Sequence, residues 1–275
     1  VLVNKFQGNE SFDCIIDLSS IEELHTINRA GGYLHIGSML TLDELSRNKN
    51  ILQKFPELIK AISSIATPVI RNTATLGGNL LCENRCIFFN QSEWWRDAVG
   101  LCLKCDGDVC IATGGKKNCF SKFVSDLAPI LISLDATINV VNQDGGYICP
   151  LEDIYTGNGL RPRKIEGSAI LSSVHLPLVS NYKCVFKKLR WRKSVDFTSL
   201  TTAVSINDAG KIKIVLGGVD PKPVVVKGSR KDDISLLISQ AIKKARIVEN
   251  DVFTRLYRKE IISVFLTDSF EELLG

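Results

Sequence analysis

Six of the nine cysteines in this sequence lie within a window of 38 residues. They are Cys82, Cys86, Cys102, Cys105, Cys110 and Cys119. Cysteines that merely fill a core would be scattered along the chain, whereas thiolates that bind a soft metal centre or form disulfides occur close together. This cysteine window is therefore the segment in which the sequence most clearly indicates chemistry.

The spacing within the cysteine window limits the kind of metal centre that fits. Cys102 and Cys105 form the only C-x-x-C pair. A zinc ribbon needs a second such pair, for which the C-x-x-x-C spacing of Cys82 and Cys86 is a poor substitute. Four glycines interleave the cysteines, and backbone without side chains can approach inorganic sulfide and donate hydrogen bonds to it. The pattern favours an iron–sulfur cluster wrapped by an irregular loop, while zinc and simple burial of the thiols stay open.

The segments on either side of the window must position it, and they are predicted to form helices and strands. Ser20-x-x-Glu23 is a capping box that predicts a helix through about residue 30, and Thr41 begins a second short capped helix. The glycines and proline of residues 157–164 predict a loop. Four strands in series are predicted over residues 184–191, 200–206, 211–216 and 224–226, followed by helices over 232–245 and 250–265. The change of pattern predicts a domain boundary near residues 177–181.

Two polar segments flank the cysteine window. They are Thr75-Leu76-Gly77-Gly78-Asn79 before it and Ser125-Asp126-Leu127-Ala128-Pro129 after it. A Gly-Gly turn can aim backbone N–H groups at a phosphate, although it is also a common structural device. Asp126 could accept a hydrogen bond from a sugar or ribityl hydroxyl. A basic stretch over residues 187–193 predicts either a solvated strand or contact with an anion.

Composition and charge exclude some classes of function. The chain has 275 residues, 45% hydrophobic and 23% charged, which suits two globular domains. The formal net charge of +4 is mostly dispersed along the chain, so nucleic acid is not an expected partner. No segment reaches the roughly 18 apolar residues of a membrane span, so no membrane partner is expected. The odd cysteine count and the lack of a signal-like opening segment predict a cytoplasmic protein with reduced thiols.

Three segments together resemble those of the FAD-binding subunits of the molybdenum hydroxylases, the xanthine dehydrogenase family. They are Ile70-Arg71-Asn72, Thr75-Leu76-Gly77-Gly78-Asn79 and Asp126-Leu127-Ala128-Pro129. The resemblance implies an α+β fold, with an FAD-binding domain of the vanillyl-alcohol-oxidase (PCMH) type over residues 1–178. A small α+β domain with a three-stranded sheet and helices would follow over residues 179–275. The implied FAD site consists of Arg71, Asn72, Thr75, Gly77, Gly78, Asn79, Asp126 and Lys188, with Lys187 as the alternative to Lys188.

In most of these subunits the glycine turn leads directly to the aspartate loop, but here the cysteine window, at about residues 82–122, is inserted between them. The insert resembles that of the 4-hydroxybenzoyl-CoA reductases within the family. The matching motifs are Arg85-Cys86, Phe88-Phe89, Asn90-Gln91-Ser92, Trp95-Arg96, Cys102-Leu103-Lys104 and Cys110. This resemblance implies a 4Fe–4S cluster bound by Cys86, Cys102, Cys110 and Cys119, spaced by 16, 8 and 9 residues, with Cys82 and Cys105 unbound.

The function implied by the resemblance is electron transfer, with no catalytic residue in this chain. FAD and the cluster would connect a ferredoxin-like carrier with the 2Fe–2S small subunit and the molybdopterin-binding large subunit, for removal of a phenolic hydroxyl from an aromatic acyl-CoA. The alternatives are the flavin subunit of a xanthine dehydrogenase-like hydroxylase with another substrate, and a non-catalytic assembly subunit braced by metal. Val1-Leu2-Val3 resembles the segment just after a family glycine loop that holds the FAD pyrophosphate. The sequence therefore predicts a missing upstream segment, or weak or no FAD binding.

Overall fold

The computed structural model describes residues 13–165 and 167–275, which contain two antiparallel sheets. The expectation for residues 1–3 lies outside this part of the chain. The first sheet, in the order β1-β2-β5-β3-β4, is formed by β1 (Ile27–Ala30), β2 (Tyr33–Gly37), β3 (Thr137–Asn142), β4 (Gly145–Pro150) and β5 (Ile170–Pro177). The second sheet follows chain order and is formed by β6 (Tyr182–Leu189), β7 (Leu200–Asn207), β8 (Lys211–Gly217) and β9 (Val224–Ser229).

The helices are short except for the last two. They are α1 (Leu42–Arg47), α2 (Lys49–Lys54), α3 (Pro56–Ser63), α4 (Pro68–Arg71), α5 (Leu76–Leu80), α6 (Glu93–Val99), α7 (Leu127–Ser133), α8 (Ile234–Lys244) and α9 (Arg255–Leu274). Two 3₁₀ helices cover Glu22–His25 and Leu151–Ile154. None of the described helices is both long enough and apolar enough to cross a membrane.

The predicted helix over residues 20–30 is wrong. Only a 3₁₀ helix forms there, and strand β1 follows it, with Ile27 paired to Ile36 in a hairpin with β2. Gly31 and Gly32 connect the two strands at φ angles of +57° and +80°, a pair of conformations that suits the tight turn of a hairpin and that glycine adopts easily. The cross-strand pairing therefore outweighs the local capping signal.

Helix α7 joins the apolar cores of the two sheets. All seven of its residues are buried. One side packs on α3 and α5, and the other packs on β7 and β8. Phe186, Ala203 and Val215 of the second sheet belong to the same apolar cluster as α7 and the first sheet. The alternate residues of those strands face α8 and α9, so the second sheet is covered on both faces.

The α+β class is confirmed, but the C-terminal sheet differs from the one that the resemblance implies. It has four strands, as the strand pattern of the sequence predicts, rather than three. Strand β6 forms one edge of this sheet and pairs with β7 from Tyr182 opposite Asn207 to Leu189 opposite Leu200. The division into domains at residues 178 and 179 stays a prediction.

Candidate functional site

The glycine turn and the aspartate loop, which the whole cysteine window separates in sequence, meet through Asn79. Its Oδ1 accepts hydrogen bonds from Ser125 Oγ at 2.8 Å and from Leu127 N at 3.3 Å. Ser125 Oγ accepts in turn from Ala128 N at 3.1 Å. These bonds satisfy N–H groups at the start of α7 that would otherwise lack partners. The fold thus brings together two of the segments on which the predicted FAD site depends.

Asp126 and Lys188 form a buried ion pair beside this loop. Lys188 Nζ lies 2.7 Å from Asp126 Oδ2, and the two side chains are only 5% and 7% exposed. Thr201 Oγ1 donates a second hydrogen bond to the carboxylate at 3.2 Å. Burial raises the pKa of Asp126 and outweighs Lys188 and Thr201, which lower it. Asp126 and Lys188 thus form a salt bridge that is shielded from solvent and connects the aspartate loop with strand β6.

Lys187, the alternative to Lys188, lies on the other face of β6. Its ammonium group pairs with Glu272 of α9. Successive side chains of a strand point to opposite faces, so the two lysines cannot both reach Asp126. Of the two candidates, Lys188 is the one beside the aspartate loop.

Three cationic side chains surround the C-terminal end of α3. Lys188 Nζ and Arg190 Nη1 both donate to Ser64 O, at 3.1 and 3.4 Å, and Arg71 Nη1 donates to Ile65 O at 2.6 Å. Carbonyl groups at a helix C-terminus carry partial negative charge and favour cations. Lys188 and Arg190 also lie close enough to the aspartate loop for both to lower the pKa of Asp126. Arg190 was not among the predicted site residues, although it belongs to the basic stretch that follows Lys188.

The backbone N–H groups of the glycine turn are bonded within the chain. Gly77 N donates to Ser38 O at 2.8 Å, and Gly78 N donates to Thr75 Oγ1 at 3.1 Å. A Cβ atom on Gly77 would lie 3.0 Å from the Ser38 Cβ, so close packing already requires glycine there. Asn72 is exposed at the end of α4. Phosphate binding by this turn stays a prediction.

The cysteine window is closed at its base by a pair of hydrogen bonds between Arg85 and Lys122. Each residue donates its N–H to the carbonyl of the other, at 2.9 and 2.8 Å. The Lys122 ammonium is buried, pairs with Asp251 and donates to Thr198 O at 2.9 Å. Burial lowers the pKa of Lys122, while Asp251 opposes this shift. The base of the window is thereby attached to the C-terminal part of the chain.

The cysteines predicted to be ligands are the buried ones. Exposed fractions are 9% for Cys86, 7% for Cys102, 5% for Cys110 and 6% for Cys119. Burial raises the pKa of Cys86, and the thiolates of Cys119 and Cys110 raise it further. Burial also raises the pKa of Cys102 to about 11, with Cys105 and Cys119 adding to the shift. The thiols are thus near enough to one another to interact, but no group of three or more His, Cys, Asp or Glu among the described residues has the geometry to hold a metal ion.

A backbone N–H group donates to one of these sulfur atoms, since Cys119 Sγ accepts from Ser121 N at 3.4 Å. The backbone N–H groups of Phe88 and Phe89 lower the pKa of Cys86, and that of Lys104 lowers the pKa of Cys102, although burial outweighs both effects. Backbone N–H groups near sulfur stabilise thiolates and are one of the ways in which proteins tune metal–sulfur centres.

A loop that sequence analysis did not connect with the window holds Cys119. Asn158 Oδ1 accepts from Cys119 N at 3.0 Å, and Gly159 N donates to Cys119 O at 2.8 Å. A Cβ atom on Gly159 would lie 2.0 Å from Ser121 Oγ and 2.8 Å from Cys119 Sγ. No local pattern signals this contact, because the partners are about 40 residues apart.

The window has little apolar core of its own. Its buried apolar cluster consists of Cys86, Phe89 and Cys102, with Phe88, Cys105 and Ile111 packed around it. Two of the three buried members are thus cysteines. So small a cluster cannot stabilise a loop of this length by hydrophobic burial alone.

Comparison with known proteins identifies the fold. The family model of the FAD binding domain in molybdopterin dehydrogenase matches residues 1–179. The aldehyde oxidoreductase FAD-binding subunit PaoB of Escherichia coli is 28% identical over 206 residues, which are 72% of this chain and 64% of PaoB. The xanthine dehydrogenase FAD-binding subunit of Escherichia coli is 40% identical over 178 residues, which are 64% of this chain and 47% of that subunit. The chain thus spans less than two thirds of either relative.

A solved structure agrees with this assignment. CO dehydrogenase from Oligotropha carboxidovorans superposes with a TM-score of 0.67 at 22% identity, covering 93% of this chain and 80% of that one. Likeness at this level of identity supports the fold, and the family model covers more than half of the chain. The family predicted from the three sequence segments is confirmed. The chain belongs to the family of FAD-binding domains of molybdopterin dehydrogenases.

Proposed function

We propose that this chain is an electron-transfer subunit of a molybdenum-containing oxidoreductase, with FAD at the aspartate loop and a 4Fe–4S cluster in the cysteine window. The observation that carries the proposal is the combination of an FAD-binding family fold with an insert whose four proposed ligand cysteines are all buried. When bound, FAD exchanges one or two electrons at a time and the cluster exchanges one. The chain would supply their position and electrostatic surroundings.

The charges around the aspartate loop support an FAD site. FAD carries a negatively charged pyrophosphate, for which the cationic Arg71 and Arg190 are suited. Asp126 provides the acceptor for a hydroxyl group, and its ion pair with Lys188 holds it in place. The remaining proposed contacts, on either side of these residues, are Asn72, Thr75, Gly77, Gly78 and Asn79. The chemistry of these residues therefore fits part of an FAD molecule.

The cysteine window supports a cluster better than zinc. A zinc ribbon needs two C-x-x-C pairs, and Cys102 and Cys105 form the only such pair in the sequence. A cubane takes four thiolates from a long irregular loop, which is what Cys86, Cys102, Cys110 and Cys119 offer. The N–H donor to Cys119 Sγ and the small apolar core of the window also favour a cluster.

The proposed partners are a molybdopterin-binding large subunit, a 2Fe–2S small subunit and a ferredoxin-like carrier. The motifs of the insert favour the reductive dehydroxylation of an aromatic acyl-CoA, as in 4-hydroxybenzoyl-CoA reductase. A xanthine dehydrogenase-like hydroxylase with another substrate is the second candidate, because the relatives are named for xanthine and aldehyde. Nine free thiols support a cytoplasmic location.

The test is the metal and flavin content of the chain purified without oxygen together with its partner subunits. We expect about one acid-released flavin per chain, and about four irons per chain in addition to the iron of the 2Fe–2S subunit. Zinc in place of these four irons would reject the cluster, and flavin without them would leave only the hydroxylase candidate. Metal in the cysteine window without flavin would indicate the assembly subunit. Two activity assays separate the two redox candidates. One supplies 4-hydroxybenzoyl-CoA and a reduced ferredoxin, and the other supplies xanthine or an aldehyde and an electron acceptor.

A further inference from the structure

We propose that Cys102 and Cys105 form a reversible disulfide when the cysteine window holds no metal, and that this oxidation withholds Cys102 from the cluster. The consequence for the cluster rests on the proposed function, in which Cys102 is a ligand. The formation of the disulfide does not.

The two sulfur atoms lie side by side. Cys102 Sγ and Cys105 Sγ are 3.5 Å apart, whereas a disulfide bond is about 2.05 Å long. Cys105 N donates to Cys102 O at 2.8 Å, so the four residues form a turn whose end Cα atoms lie within about 7 Å of each other. Disulfides bridge Cα atoms up to about 6.8 Å apart. Small side-chain rotations are therefore enough to close the bond.

The backbone around the pair holds this geometry. Gly107 N also donates to Cys102 O, at 3.0 Å, and a Cβ atom on Gly107 would lie 2.0 Å from Leu101 O. Asp106, between Cys105 and this glycine, adopts a left-handed φ of +62°. The chain thus folds back sharply just after the second cysteine. Since this turn is tight, the two thiols face each other without help from a metal.

Exposure makes one cysteine the entry point for an oxidant. Cys102 is only 7% exposed, whereas Cys105 is partly exposed. A small-molecule disulfide such as oxidised glutathione reacts first at Cys105, forming a mixed disulfide and releasing one reduced glutathione. Cys102 then attacks the Cys105 sulfur, forms the protein disulfide and releases the second glutathione. The two cysteines lose two electrons and two protons, and the oxidised glutathione gains them.

The consequence concerns loading of the cluster. A sulfur atom in a disulfide is no longer available as a thiolate ligand. With Cys102 oxidised, Cys86, Cys110 and Cys119 remain as an incomplete ligand set. Reduction of the pair restores the fourth ligand, so the availability of the site follows the redox state of the cell.

The sequence itself provides a direct readout, because Lys104 lies between the two cysteines. Trypsin cleaves after this lysine and separates Cys102, on residues 97–104, from Cys105, on residues 105–116. The complex is depleted of iron by a chelator without oxygen, treated with oxidised glutathione, capped with N-ethylmaleimide and digested. We expect the two peptides to be joined, with fragmentation assigning the bond to Cys105 rather than Cys110, and to separate after treatment with dithiothreitol.

Iron loading is measured on parallel aliquots of the oxidised and reduced complex that are neither capped nor digested, as the iron gained in addition to that of the 2Fe–2S subunit. We expect the oxidised wild type to lose most of the iron uptake of the reduced form, and Cys105→Ser to load without a reductant. Cys149→Ser, a cysteine outside the window, is the matched control and should behave as wild type. Free Cys102 after oxidation, or equal loading of the oxidised and reduced wild type, overturns the proposal. If the reduced wild type takes up no iron, the cluster assignment fails, and the joined peptides alone then decide whether the disulfide forms.

Discussion

At the scale of single residues, the ion pair of Asp126 and Lys188 is the feature whose energy is easiest to test. Both side chains are almost fully buried. Lys188→Met leaves the carboxylate with Thr201 Oγ1 as its side-chain partner. Removing one member of a buried pair leaves an uncompensated charge, so we expect the free energy of unfolding to fall by about 3 kcal/mol. Urea unfolding of the flavin-free chain, followed by circular dichroism, measures the loss.

The double variant Asp126→Asn with Lys188→Met is the control for that measurement. It removes both charges while retaining an acceptor for the Thr201 hydroxyl, and it should recover most of the lost stability. A double variant as unstable as Lys188→Met would show that the unpaired charge is not the cause. The wild type and both variants should have the same circular dichroism spectrum before urea is added.

Two cysteine substitutions separate ligands from neighbours within the window. Cys110→Ser should remove about four irons per chain and the share of the visible absorbance that belongs to the 4Fe–4S cluster, because serine is a poor substitute for a thiolate ligand. Cys105→Ser should retain both, since Cys105 is not one of the four proposed ligands. Iron analysis and absorbance spectra of the anaerobically purified complex give the result. Equal losses in the two variants would contradict the ligand assignment.

At the scale of elements, the loop that contacts Cys119 is a test of how the window is positioned. Gly159→Ala would place a Cβ atom 2.0 Å from Ser121 Oγ and 2.8 Å from Cys119 Sγ. We expect the loop to move away from Cys119, with a loss of about 2 kcal/mol in stability and a lower iron content. The loss is measured by urea unfolding and iron analysis.

The matched control for this loop is Gly167→Ala. A Cβ atom on Gly167 would have no other atom within 4 Å, so the substitution should leave both stability and iron content unchanged. If Gly159→Ala loses stability but keeps its iron, the loop stabilises the fold and is not needed to position Cys119 for the cluster.

Two similar capping boxes in the sequence led to different secondary structures. The capping box at Thr41 is confirmed, because Thr41 Oγ1 accepts from Glu44 N at 3.2 Å and the Glu44 carboxylate accepts from Thr41 N at 2.8 Å. A similar pattern at Ser20 produced no helix. The residues after Thr41 have no competing strand, whereas Ile27 pairs with Ile36 across a glycine turn. Local signals hold where no long-range pairing competes with them.

At the scale of the whole molecule, α7 should make the two sheets unfold together. Leu131 is fully buried in this helix, which packs against both halves of the chain. Leu131→Ala should lower the stability of the entire chain by about 2–5 kcal/mol. Calorimetry should show one transition, and hydrogen exchange should increase in β3 and β8 alike.

Val141→Ala is the control for this prediction, because Val141 is 39% exposed on β3. It should change stability by less than about 1 kcal/mol. Two separate calorimetric transitions, or faster exchange confined to one sheet, would show that the halves are independent. That outcome would support a domain boundary near residue 178.

The sequence by itself determined the family, the crowding of the cysteines and the four strands of the second sheet, because each depends on residue types and spacing along the chain. Only the tertiary structure decided that Lys188 rather than Lys187 reaches Asp126. It also decided that the loop at Gly159 supports Cys119, and that Cys105 lies beside Cys102. These features depend on which strand face a side chain occupies and on how the backbone turns. Such contacts are fixed by packing between segments that local sequence patterns do not connect.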